Sequence, residues 1–129
     1  MGLFSRSSAK REEQQRADDA RHAHAELAEH ALVGVVPIGS TQWRQRVKVA
    51  GRVKAIRVQP WADEVASLEL TLADDTGGIT IVFLGRRRIG GIDLGTHLVA
   101  EGMTSTHNGL LTILNPEYQL LPHQVELPY

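Results

Sequence analysis

From Val47 onward the apolar side chains recur at every second position. Val47, Val49, Gly51 and Val53 alternate with Lys48, Ala50, Arg52 and Lys54. A period of two puts the two sets on opposite faces of a strand, so the pattern predicts a half-buried strand with a basic outer face. Pro60-Trp61-Ala62-Asp63-Glu64 interrupts it, and Leu68, Leu70 and Leu72 then alternate with Ser67, Glu69 and Thr71. Asp74-Asp75-Thr76-Gly77-Gly78 has tight-turn chemistry. A third strand follows, with Ile79, Ile81 and Phe83 set between Thr80 and Val82. A Gly-rich connector over 85–95 precedes a fourth strand over 96–105. Asn108-Gly109 marks a hairpin, and Leu110–Leu114 supplies the fifth strand.

The N-terminal part has a different period. Residues 8–33 are rich in Ala, Glu, Gln, Arg and His, with Ser8 as N-cap and Gly34 and Pro37 as the stop, which predicts a helix. Its apolar stripe is Ala20, Ala23, Leu27 and Ala31, so it has little area to bury and is expected to dock loosely, to fray or to await a partner. The organisation expected is a helix and connector over 1–43, a barrel over 44–121 and a tail over 122–129. Five strands with a long insertion between the third and fourth match a mainly β, five-stranded OB-fold Greek-key barrel preceded by an N-terminal α-helix. An SH3-like barrel, the competitor, has shorter strands and no natural place for 85–95. Gly51 fits a sharp bend where the first strand serves both halves of the barrel. Ile89 and Ile92 are expected to plug the barrel end.

Charge refines this picture. The net charge is −1 over 129 residues, yet residues 44–92 hold nine Lys/Arg against five Asp/Glu, and residues 93–129 hold four Asp/Glu and no Lys/Arg. Such segregation speaks to partners more than the total does. The absence of cysteine excludes disulfides, thiolate metal sites and thiol nucleophiles. No apolar run has the length of a membrane span, and Met1–Arg6 lacks both a signal-peptide core and the N-myristoylation pattern. A soluble cytoplasmic protein is the expectation.

Specific segments carry a resemblance. Gly51-Arg-Val-Lys-Ala-Ile-Arg57 resembles the first strand of the anticodon-binding OB domains of class II aminoacyl-tRNA synthetases, and Leu72-Ala-Asp-Asp-Thr-Gly77 their turn between strands two and three. Asn115-Pro116-Glu117-Tyr118 is similar to the close of the wedge OB domain of a branched-DNA helicase. Together with Phe83-Leu-Gly-Arg-Arg-Arg-Ile-Gly-Gly-Ile92, the set looks most like a family of small bacterial OB-fold proteins described as nucleic-acid-binding. The resemblance spans roughly residues 44–121. It implies that Arg57 keeps the arginine of the synthetase site and that Thr80 stands where strand three makes a polar base contact. Glu69 occupies the place of the base-stacking aromatic, so the electrostatic half of that site persists without its stacking half.

Oligonucleotide binding on an OB fold uses the face of strands two and three, walled by loops 1–2 and 4–5. It needs a positive groove for phosphates and flat faces for bases. The candidates are Lys48, Arg52, Lys54 and Arg57 on strand one, Trp61 in loop 1–2, Thr71 and Thr80 on strands two and three, His107 in loop 4–5, and Arg86. Each has a plainer reading: a solvated strand face for the cations, a loop aromatic folded on the barrel for Trp61, a hairpin for His107. Trp43 is expected in the core. The triplet Arg86–Arg88 is expected to flank the plug at the end of strand three away from Arg57. Asp74 and Asp75, with Asp63 and Glu64, are turn formers before they are metal ligands, and His22, His24, Glu26 and His30 lack the second ligand pair that zinc needs. No phosphate-binding loop, zinc-protease motif or nucleophile elbow is present.

The reading is a non-enzymatic single-strand-binding module, DNA or RNA, without metal or cofactor. The alternative is a protein–protein adaptor using the barrel or the helix, with helix-mediated dimerisation included.

Overall fold

The computed structural model describes the backbone of residues 2–129 and the side chains of residues 8–23 and 26–129. Six strands follow one helix: α1 (Gly2–Ala31), β1 (Arg46–Ala62), β2 (Val65–Asp74), β3 (Gly77–Leu84), β4 (His97–His107), β5 (Leu110–Leu114) and β6 (Glu117–Leu121). β1 pairs antiparallel with both β2 and β4, β2 with β3, and β4 with β5, while β3 and β5 run parallel. The pairings therefore run in a ring, β1-β2-β3-β5-β4 and back to β1, the order of a five-stranded Greek-key OB barrel.

The sixth strand corrects the count of five. β6 pairs with the same edge of β4 that β5 uses further along. The partner sums differ by one residue, Thr104↔Ile113 against Leu98↔Leu120, so β5 and β6 form one long strand broken by a bulge. Asn115, in the left-handed region at φ 47°, and the following Pro116 make that break. Read from sequence alone the strand ends there, because a proline interrupts a ladder.

β1 is long because it changes partner midway. Residues 46–52 pair with β4 and residues 52–62 with β2, with the switch at Gly51-Arg52. Its even-numbered side chains point outward up to Lys54. An irregularity between Val53 and Ala55 leaves Lys54 without a partner, after which the odd-numbered residues point outward. Without that extra residue Arg57 would face the core. Inside the ring lie Val49, Val53, Leu70, Leu72, Ile81, Leu98 and Ile113, and Ile89 and Ile92 of the connector are buried in the same core.

α1 begins earlier than expected, so Ser8 lies within it rather than capping it. Its docking residues also differ. Leu27, Ala20 and Ala23 of the expected stripe are exposed, Leu27 at 60 %, whereas Ala31 is buried as expected and is joined by Ala28 from outside the stripe. Ala28 and Ala31 pack with Ala50, Val99 and Leu121, and Leu32, Val35, Val125 and Leu127 complete this second small core on the outer face of β1, β4 and β6. The C-terminal tail is therefore packed against the barrel. The helix surface before residue 27 carries local pairs such as Gln14–Asp18, Gln15–Asp19 and Arg21–Asp18, which hold a polar helix without burial.

Candidate nucleic-acid interface

The register gathers part of the sequence-predicted set on one outward face. Arg57 opposes Glu69, Glu69 opposes Val82, Thr71 opposes Thr80, and Thr80 opposes Thr112 on β5. Alternation places all of these on the side away from the leucine and isoleucine core. Two hairpin tips rise at the margins of this face. Trp61 is the penultimate residue of β1, His107 ends β4, and their rings stack with centroids 4.2 Å apart and planes inclined by 21°. The two walls thus meet through an aromatic pair, with its outer surface as the flat element of the site. Val82, although it points outward, is 0 % exposed, so the floor of this face is covered and apolar at its centre.

Electrostatics across this face are mixed. Arg57 Nη2 donates to Glu69 Oε1 at 3.1 Å, and the Glu69 side chain is only 11 % exposed. The residue at the place of the stacking aromatic thus holds the arginine down on the sheet. Among the described residues, positive charge without such pairing comes from Arg86–Arg88, all exposed. The expectation that they sit at the far end of strand three from Arg57 is overturned. β3 runs antiparallel to β2, so its C-terminal end meets the start of β2, where the Gly85 N–H donates to the Ala66 carbonyl oxygen at 2.8 Å. Arg87 lines a shallow hollow with Val58, Pro60 and Ala62 of the β1–β2 hairpin. The triplet thus adjoins the β1–β2 hairpin that carries Trp61, on the side of Val58 and Pro60.

Three other cations do not join them. Lys48 opposes Glu101 across the β1–β4 ladder, and its Nζ donates to the Val33 carbonyl oxygen at 2.7 Å, tying the end of the helix to the barrel. Arg52 and Lys54 line a separate hollow with Asp74, Asp75, His97, Glu126 and Tyr129. The bend at Gly51 and the unpaired Lys54 turn this part of β1 away from Arg57, which simple alternation does not reveal. Trp43 is not in the core either: it is 54 % exposed, with the Arg44 guanidinium 4.2 Å from its ring centroid.

Asp74 acts as a turn former through identified bonds. Its carboxylate accepts from the N–H groups of Ile38, Thr76 and Gly77 and from the Thr76 hydroxyl. Burial pushes its pKa up, but the donors outweigh it and hold the carboxyl below its ordinary range. On the helix, His22 Nδ1 donates to the Asp18 carbonyl oxygen, while His24 lies outside the described side chains. Among the described residues no cluster of three potential metal ligands forms, and no helix is long and apolar enough to cross a membrane.

His97, missed by sequence reasoning, borders the Arg52 hollow. Its Nδ1 is buried without a hydrogen-bond partner among the described residues, and its ring lies 5.9 Å from that of His123. Burial, then the neighbouring charges of His123 and Arg52, push its pKa down. The unfolded chain therefore takes up this proton more readily, so the contribution of neutral His97 is complete above about pH 6.5 and is lost as the pH falls below that. Thermal melts at pH 7 and pH 5 should show a loss of stability that is smaller in His97→Gln. Equal losses in both proteins would contradict the assignment.

The ring of strands and the two hairpin walls define an OB-type barrel. The comparisons agree on the fold. The second OB-fold domain of replication protein A from Methanococcus maripaludis superposes with a TM-score of 0.55 at 17 % identity, covering 70 % of this chain and 98 % of that domain. This likeness carries the OB fold and does not extend to the synthetase or helicase resemblances. No protein-family model and no curated protein matches the sequence.

Proposed function

We propose that the protein is a non-enzymatic OB-fold module that binds single-stranded nucleic acid with little sequence preference. The observation that carries this reading is the Trp61–His107 stack joining the two hairpin walls, with the Arg86–Arg88 run against the base of the same β1–β2 hairpin. OB folds of single-strand binders combine a cationic track with aromatic faces, because phosphates and π-surfaces are common to every sequence. The neighbouring fold belongs to a domain of a replication protein, which fits the same class. Low specificity follows from the scarcity of exposed polar groups on the face: Thr80 is buried and Glu69 is engaged with Arg57.

The test is fluorescence anisotropy with labelled single-stranded DNA, single-stranded RNA and duplex at two salt concentrations. Removing the Arg86–Arg88 side chains should weaken single-strand binding and reduce the slope of log K against log salt by about 0.7 for each phosphate no longer neutralised. Trp61→Ala should cost about 1–3 kcal/mol of binding with the slope unchanged, since stacking releases no counterions. Glu69→Gln should strengthen binding, because it frees Arg57 for a phosphate. Failure to bind any single strand at low salt rejects the proposal. The surface of α1 over residues 8–23, exposed except for the partly buried Asp18, favours the second reading, a protein–protein adaptor, in that event.

A further inference from the structure

The turn that precedes β1 is built in an unusual way. Arg44 adopts φ 59°, a left-handed conformation uncommon for an arginine. It is held there by Thr104 of β4, itself 1 % exposed. The Thr104 hydroxyl donates to the Gln42 carbonyl oxygen and accepts from the Gln45 N–H at 2.9 Å. The Arg44 N–H donates to the Thr104 carbonyl oxygen, and the Thr104 N–H to that of Gln45. Strain held by so many bonds is a reason to look for a ligand. The turn displays an exposed indole with a guanidinium over it. Arg44 makes no ion pair among the described residues, and Arg46 follows it at the start of β1, opposite the exposed Met103.

We infer that Trp43 and Arg44 form a second contact for the same single strand, off the face already described. This rests on the reading of the protein as a single-strand binder. Thr104 and His107 are three residues apart on β4, about 10 Å along the strand. About three stacked nucleotides cover that length, so one strand can cross from the Trp61–His107 stack to Trp43. An indole with a cation beside it offers a π-face for a base and a charge for the adjoining phosphate. A protein hot spot needs a desolvated, well-packed surround, whereas Gln42, Arg44 and Gln45 around this indole are polar and exposed. Arg46 lies 3.8 Å from Glu101 and 4.0 Å from Glu117, so Arg44 is the cation left for the phosphate.

The test uses the full chain with labelled oligothymidines of about 4 and about 15 nucleotides, a span chosen around the site sizes of single OB folds. Trp43→Ala should bind the longer strand about tenfold more weakly, within the range for loss of one stacked base, and bind the shorter one unchanged. Trp43→Phe should recover most of that loss, which a purely structural role of the side chain would not require. In Trp61→Phe, Trp43 is the sole tryptophan, and its emission should be quenched by the longer strand. If Trp43→Ala binds the longer strand as well as the parent does, while loss of Arg86–Arg88 weakens it, this inference fails and the proposed function stands. If the parent binds neither oligonucleotide at low salt, both fail.

Discussion

Gly51→Val is expected to destabilise the protein by about 3 kcal/mol, the upper part of the usual overpacking range. A Cβ at position 51 would lie 2.6 Å from the Ala73 carbonyl oxygen, 2.9 Å from its carbon and 3.0 Å from Leu72 Cγ. Two of those atoms are backbone at the far end of the β1–β2 ladder, where Arg52 opposes Ala73. Neither can withdraw without breaking pairs on β2. The position is also where β1 leaves β4 for β2, so a shift there disturbs two ladders together. Denaturant midpoints with unchanged slope measure the effect. A midpoint equal to that of the parent would mean that the strand does not bend around this residue.

Asp74→Ala comes next, at about 2–3 kcal/mol, the scale for losing hydrogen bonds to a charged group. One carboxylate joins the β2–β3 turn to the short 3-10 turn at Ile38–Ser40, and four donors lose their acceptor when it is removed. The junction has little slack: the Gly39 N–H donates to Thr76 Oγ1 at 2.8 Å, and a Cβ on Gly39 would collide with the Thr76 carbonyl oxygen. The folded pKa lies below the ordinary value of about 3.9, so this stability is present above that pH and is lost as the pH falls through the folded pKa. The difference between parent and variant should therefore be full at pH 7 and shrink in strong acid. A pH-independent difference would show that the carboxylate charge is not what holds the junction.

These residues mark how far the candidate site is legible in the chain. Trp61 and His107 are readable as members of two loops on an OB-fold, because proline at 60 and Asn108-Gly109 announce the turns. That their rings touch is not, since the stack joins residues 46 positions apart in two different hairpins. Resemblance to a known strand puts Arg57 on the outer face. The physical reason is the unpaired Lys54, whose effect on side-chain direction depends on which residues of β2 it slips past. Trp43 reads as core because large aromatics usually go there; its turn is instead held outward by Thr104, a residue 61 positions later.

What the chain determined by itself is therefore local. Alternation names the strands and their inner residues, because side-chain direction follows from one strand's own pleat. The Asp74–Gly78 turn, the Asn108-Gly109 hairpin and the bend at Gly51 are likewise properties of a few adjacent residues. Which cations share a surface was decided only by the tertiary structure. Arg57 meets Glu69, Lys48 meets the end of the helix, and Arg52 and Lys54 meet the tail, while Arg87 meets the β1–β2 hairpin. Register, bulges and packed termini set those distances, and each of them is a relation between segments far apart along the chain.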